Sequence, residues 1–352
     1  MEQNEQFSLF PELEQQAIGK KSTQRAAKPT VKATKPVVIK IDAERTNLAL
    51  MKRAKARAVK EGSVLGPCLR EYLSLYEEEY SPSELLSNLT GPLVRAFEET
   101  KSVIESNMFI KWNGDADMIA RSVPNSLRRS AGTNYQTLVS YALARYFVET
   151  KSEWYISHPV PPEFKQALSI SFTAGIAIQP EEKQAEGEED AESPSSVKVQ
   201  PDVDILLRNA AWPSEPDNAE PVLMLSVKTS LVDRAGMAAR WKTYFDLANH
   251  PCSHQNERDC AYSRLGIQME NADKYDIHHG IVTANIYKLN FHDRSYRKGE
   301  LATAQTRSNT HMFNLKLTTR DDDEAETPRG WHQFPYVIQV LEDISRTCNL
   351  PT

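Results

Sequence analysis

Long apolar runs are missing from this chain of 352 residues: no stretch reaches about eighteen consecutive apolar side chains, so no membrane-crossing helix is expected. The start also lacks the basic-then-apolar pattern of a secretory signal, with acids at Glu2 and Glu5, and the expected location is the cytoplasm. Cysteine is scarce. Cys68, Cys252, Cys260 and Cys348 stand too far apart for the dense disulfide framework of a small secreted domain, which fits reduced thiols. His250, Cys252, His254 and Cys260 do cluster, but their spacing matches no standard zinc finger, and the stretch reads as a polar loop.

What is present is a hydrophobic content of 40%, enough for a substantial core in one large domain or two smaller ones. The net charge of -6 conceals a strong polarisation. Residues 20–60 hold thirteen Lys and Arg against only Asp42 and Glu44, a local +11 that leaves about -17 on the rest. A basic arm or helix of this kind can neutralise phosphates on an acidic body. Its plainer reading is a solubilising tail.

Residues 1–40 are rich in Gln, Lys, Thr and Pro without any period and read as a disordered or extended arm. Within it, Gln6-Phe7-Ser8-Leu9-Phe10 is similar to the short peptide by which bacterial proteins dock on the replication sliding clamp, or is a small apolar patch that packs on the body. Residues 41–130 read as a helical region. Asp42 caps a basic helix over 43–61, Ser81-Pro82-Ser83-Glu84 is a capping box with proline at the first helical position, and Pro92 opens a helix to about 105.

The clearest helix spans 133–149, where Tyr135, Leu138, Val139, Ala142, Leu143, Tyr146 and Phe147 recur at helical spacing. From Leu168 to Ile178 apolar residues alternate strictly, as in a half-buried strand leading towards the next hairpin. Residues 181–196 hold seven acids and almost nothing apolar, so they read as a flexible insertion. A helix over 233–248, strands over 280–287 and 311–319, and an amphipathic helix carrying Val337, Val340, Leu341 and Ile344 complete an α/β order.

The stretch with chemistry in it runs from Pro201-Asp202-Val203-Asp204-Ile205-Leu206-Leu207 to Pro221 and on to Ser226-Val227-Lys228. Both ends read as strands joined by turn-forming residues. Strand side chains alternate, so Asp202 and Asp204 share one face, and Ser226 and Lys228 share one face of the partner. An acid and a lysine at one sheet edge supply what phosphodiester hydrolysis needs: an oxygen ligand for a divalent cation and an ammonium to orient water or meet developing charge. The bland alternative is a solvated turn acid beside an edge-strand lysine.

At these residues the chain resembles the PD-(D/E)xK nucleases, and more narrowly the type II restriction endonucleases. The match is Pro201-Asp202 followed by Ser226-x-Lys228, with Ser226 where the usual acid stands. Past the lysine, Lys228-Thr229-Ser230-x-x-Asp233-Arg234 is similar to the Lys-Thr-(Thr/Ser)-x-Arg-(Asp/Glu)-Arg segment of enzymes that read GC-rich sites, with Val232 in place of the first arginine. Upstream, Ala131-Gly132-Thr133-Asn134-Tyr135-Gln136 resembles their Ala-Gly-x-x-Leu-Glu helix start, with Gln136 replacing the glutamate.

The resemblance implies a restriction-endonuclease-like core over residues 131–352, a mixed central sheet flanked by helices. It implies Mg²⁺-dependent, sequence-specific cleavage of double-stranded DNA by a homodimer, with a DNA methyltransferase as companion in the same system. Asp202 is the expected metal ligand, Lys228 the residue that positions or activates water, and Ser226 a secondary contact. Asp204, Glu149 and Asp246 are candidates for the second carboxylate, and Gln136 for a neutral oxygen ligand. Asp233 and Arg234 are the expected DNA contacts, arginine being the usual partner of guanine O6 and N7. Their alternative reading is a helix cap with a surface ion pair. The other functional readings are a DNA-binding protein that keeps the fold without hydrolysis, and a repair or structure-specific nuclease.

Overall fold

The apolar run Val222-Leu223-Met224-Leu225 leaves strand β5 (Glu220–Lys228) no polar face to show to water, and the strand is buried from Pro221 to Lys228. A strand buried on both faces needs layers on both sides. The computed structural model describes residues 41–76, 82–87, 89–173, 196–201, 203–212, 219–229, 241–246, 267–269, 274–284, 311–314 and 332–350. The expected N-terminal arm, nearly all of the acidic stretch and the His/Cys cluster lie outside them. The described protein is a mixed α/β structure whose central sheet has the order β1 (Trp154–Ser157), β4 (Ile205–Asn209), β5, β7 (Tyr275–Thr283), β8 (His311–Asn314) and β9 (His332–Gln333). β4 runs antiparallel to both β1 and β5, whereas β5, β7, β8 and β9 are mutually parallel.

Alternation along the strands divides the core in two. Ile205 and Leu207 of β4 with Leu223, Leu225 and Val227 of β5 meet a helical layer, and Leu206, Val222 and Met224 meet the opposite side. The helical layer draws on α1 (Ala43–Ala58), α2 (Gly66–Tyr76), α3 (Pro82–Ser87), α4 (Thr90–Arg95), α6 (Ala116–Glu149) and the C-terminal α8 (Tyr336–Thr347), beside the exposed-sided α5 (Phe97–Lys111). The opposite side is closed by Phe164 of α7 (Pro162–Ala167) and by Trp241 and Phe245 of a helical segment over 241–246. Among the described residues no helix is long and apolar enough to cross a membrane.

Several expectations need correction. The helix expected from about 133 begins at Ala116, where the Asp115 carboxylate accepts from the amides of Asp117 and Met118, both at 3.1 Å. The Ala131-Gly132 pair therefore lies inside a helix of 34 residues rather than at its start. Glycine weakens a helix by only about 1 kcal/mol, which the packed face from Asn134 to Phe147 overrides. The helix expected from Pro92 is two helices meeting at Ala96.

The alternating strand is shown as β2 (Ile170–Thr173), and it does not join the central sheet. It pairs with β3 (Ser196–Val199) and β6 (Ile267–Met269) in a separate three-stranded antiparallel sheet. The strand that does border β4 is β1, whose Trp154-Tyr155-Ile156 is too short to give a periodic signal. Its free edge is not left open. The buried Asn47 of α1 donates to the Trp154 carbonyl at 3.0 Å and accepts from the Ile156 amide at 3.1 Å, as a neighbouring strand would.

Candidate functional site

The two chain ends of the β4–β5 hairpin opposite its turn come together where β4 begins and β5 ends. Ile205 pairs with Leu225, so the residue just before β4 falls beside Ser226 and Val227. That residue is Asp204. Its backbone amide donates to the Leu225 carbonyl at 3.1 Å, continuing the ladder one step beyond the strand. Its Oδ2 accepts from the Val227 amide at 2.7 Å and from Lys228 Nζ at 3.0 Å. Gln136, reaching across from α6, donates through Nε2 to Oδ1 at 2.7 Å. With the amide nitrogen so engaged, the Oε1 of Gln136 is the group's remaining acceptor.

Both charges are withdrawn from water: the Lys228 side chain is 5% exposed and that of Asp204 14%. Burying such a pair is costly, and apolar replacement is often neutral or better for stability. A buried acid–lysine pair at a strand end is therefore a candidate for function rather than a stability device.

A histidine completes the surroundings. His158, the first residue after β1, donates from Nδ1 to the Asp204 carbonyl at 3.1 Å, which fixes its tautomer and leaves Nε2 as an acceptor when the ring is neutral. Burial, above all, pulls its pKa below the usual imidazole value; the hydrogen bond and the charge of Asp204 act against this, while Arg57 and Arg53 add to it. Ser226 lies deeper. It is fully buried, and its Oγ is 3.3 Å from Nε2 of His279 on β7.

Of the residues expected from sequence, the structure thus brings Asp204, Lys228 and Gln136 together, with Ser226 beneath them. Asp202, Asp233 and Arg234 lie outside the described residues. Glu149 is thirteen residues along α6 from Gln136, roughly 20 Å at helical rise, and is bound by Arg145 Nε at 2.6 Å. Asp246 is exposed and paired with Lys242. The sequence reading missed His158 and His279, neither of which carries a motif. Asp204 did carry a signal: it directly precedes the apolar Ile205-Leu206-Leu207, the position of an acid at a strand's mouth.

The donors are hard oxygen and nitrogen groups without a thiolate. The carboxylate of Asp204 and the amide oxygen of Gln136 suit Mg²⁺ in ligand type. Among the described residues no three His, Cys, Asp or Glu converge on one point, so Asp204 is the one described carboxylate such an ion would take here. No family model matches the chain, and no curated protein matches it by sequence.

Proposed function

We propose that this protein is a Mg²⁺-dependent, sequence-specific endonuclease that hydrolyses phosphodiester bonds in double-stranded DNA, built on a restriction-endonuclease-like core and working as a homodimer. The observation that carries this reading is the 3.0 Å contact between Lys228 Nζ and Asp204 Oδ2 at the open end of the hairpin, with Gln136 of α6 on the other carboxylate oxygen. A mixed central sheet with helices packed against it supports this reading.

In this reading Asp204 would hold the metal together with Asp202, the ligand expected from the sequence. A bound Mg²⁺ supplies Lewis-acid polarisation of the phosphoryl group and a lower pKa for the attacking water. Lys228 would orient that water, and the Val227 amide holds the carboxylate in place beside it. Ser226, hydrogen-bonded to His279, holds the floor. Asp233 and Arg234 remain the proposed base contacts, and a companion methyltransferase the proposed partner enzyme.

A second reading has its own support. Gln136 stands where the resembling enzymes carry glutamate, and a site with one described carboxylate would suit a DNA-binding protein without hydrolysis. Incubating supercoiled plasmid with the protein and Mg²⁺ separates the two. Discrete fragments that vanish with EDTA and with Lys228→Ala are expected; intact plasmid at full DNA occupancy would leave the binding protein, and a continuous smear would point to a nuclease without sequence choice.

A further inference from the structure

The basic residues of α1 are not equivalent. Ala43, Asn47, Leu50 and Ala54 form its buried stripe, and Asn47 ties the helix to the edge of the central sheet through Trp154 and Ile156. Around the remaining surface the charges part. Lys55 lies over the Tyr141 ring of α6, 5.9 Å from its centroid. Arg45, Lys52 and Arg53 face elsewhere, with Ala49 and Ala56 between them, and line an open groove whose described lining comes wholly from the N-terminal end and body of α1. Arg57 follows Arg53 by one turn on the same flank.

Lys52, Arg53 and Arg57 are exposed, and among the described residues none of them is ion-paired with a carboxylate. The alanine methyls leave a shallow floor on which an anionic backbone can approach between the charges. The direction of the flank is set by the sheet: β1, gripped by Asn47, runs directly into His158, which holds the Asp204 carbonyl. Arg53 and Arg57 are near enough to His158 to oppose its protonation.

We propose that the face formed by Lys52, Arg53 and Arg57 is a clamp for the phosphate backbone of double-stranded DNA, holding the duplex beside Asp204 and Lys228. The inference rests on the nuclease reading. Charge complementarity favours this occupant: residues 41–60 hold six Lys and Arg against Asp42 and Glu44, a local +4 in a chain of net charge -6, so a polyanion is drawn to this helix. Two guanidinium groups one turn apart match consecutive phosphate contacts better than ammonium groups do, because each presents a planar fork. Lys55, spent on Tyr141, takes no part.

The test is fluorescence anisotropy of a labelled duplex titrated with the full chain in Ca²⁺, which occupies oxygen sites but supports hydrolysis poorly, over a series of salt concentrations. The double variant Arg53→Gln with Arg57→Gln is expected to weaken binding to all sequences alike and to reduce the slope of log affinity against log salt by about 1.8, at about 0.9 per phosphate contact. Lys55→Gln is expected to leave the slope near that of the wild type. An unchanged slope in the double variant, or an equal loss from Lys55→Gln, overturns the clamp. Tighter DNA binding by the double variant also overturns it. If the wild type cleaves DNA while the double variant keeps its slope, the clamp alone fails; if the wild type neither binds nor cleaves, the nuclease reading fails with it.

Discussion

The β4–β5 hairpin carries an ion pair at each end, and the two are built differently. Near the turn, Arg208 of β4 meets Glu220 of β5 through two parallel hydrogen bonds, Nε to Oε1 at 2.6 Å and a terminal nitrogen to Oε2 at 2.8 Å. Its guanidinium also lies 5.8 Å from the Tyr155 ring centroid and 5.5 Å from that of Phe164. At the open end, Lys228 makes a single contact with Asp204. A bidentate fork satisfies its carboxylate and closes on itself. At a point contact the lysine does not cover both carboxylate oxygens, and Asp204 also accepts from the Val227 amide and from Gln136 of α6, so this pair is tied to a second element rather than closed on itself. In the proposed reading the same two strands present one pair suited to holding the hairpin and one suited to meeting a ligand.

The largest effect should come from breaking the open pair. Asp204→Asn and Lys228→Ala are each expected to lower single-turnover cleavage of plasmid by about 10²–10⁴-fold. Lys228→Ala leaves Asp204 buried without its partner and is also expected to cost about 3–5 kcal/mol in urea unfolding. Wild-type rates from either variant would remove the site from the chemistry.

Arg208→Ala should sharpen the contrast. It is expected to lower stability by about 1.5–3 kcal/mol, the worth of charge-assisted hydrogen bonds, while cleavage per folded molecule stays near wild type. A thermal melt and a cleavage assay on one preparation decide this. Cleavage falling in step with that of Lys228→Ala would mean that the two ends are not functionally distinct.

Smaller again is the expected effect of Gln136→Glu, which sets a second carboxylate against Asp204 Oδ1. Without metal, like charges at this distance destabilise the fold; with Mg²⁺ they have a common counter-ion. The melting temperature should fall in EDTA and recover as Mg²⁺ is added, more steeply than for the wild type. Equal Mg²⁺ response in both proteins would argue against an ion at Asp204.

The smallest expected effect is on pH dependence. The folded-state pKa of His158 lies below its unfolded value of about 6.5, chiefly through burial, so the unfolded chain binds the proton first as pH falls. Stability is therefore lost as pH drops below about 6.5 towards the folded value, and His158→Gln should flatten that part of the curve. At the closed end, burial drives the Tyr155 hydroxyl up to about 12, far from this range. A wild-type curve already flat over this range would exclude the assignment to His158.

Much of this contrast was legible in the sequence, though not all of it. The strand β5, the capped basic helix α1 and the C-terminal helix follow from unbroken apolar runs, helical spacing and the carboxylate of Asp42, which accepts from the Arg45 amide at 2.9 Å. Local signals of that kind survive folding. β1 was illegible because three apolar residues have no period, and its place at the sheet edge depends on Asn47, more than a hundred residues earlier in the chain. The site was half legible. Lys228 and the acid pair at 202 and 204 stand out as chemistry, but which acid meets the lysine depends on register: Ile205 opposite Leu225 sets Asp204 against the Val227 amide and Lys228 Nζ. His158 could not be read at all, since it acts only through a carbonyl that the fold places beside it.

The distinction between the open and the closed pair is tested most directly by Asp204→Asn and Glu220→Gln assayed side by side for Mg²⁺-dependent cleavage of plasmid DNA, with circular dichroism on both. Each substitution removes one carboxylate charge from the same hairpin and keeps the side-chain shape. Cleavage lost in Asp204→Asn and retained in Glu220→Gln, with both folded, is the predicted result. Cleavage retained in folded Asp204→Asn, or lost equally in both, would contradict it.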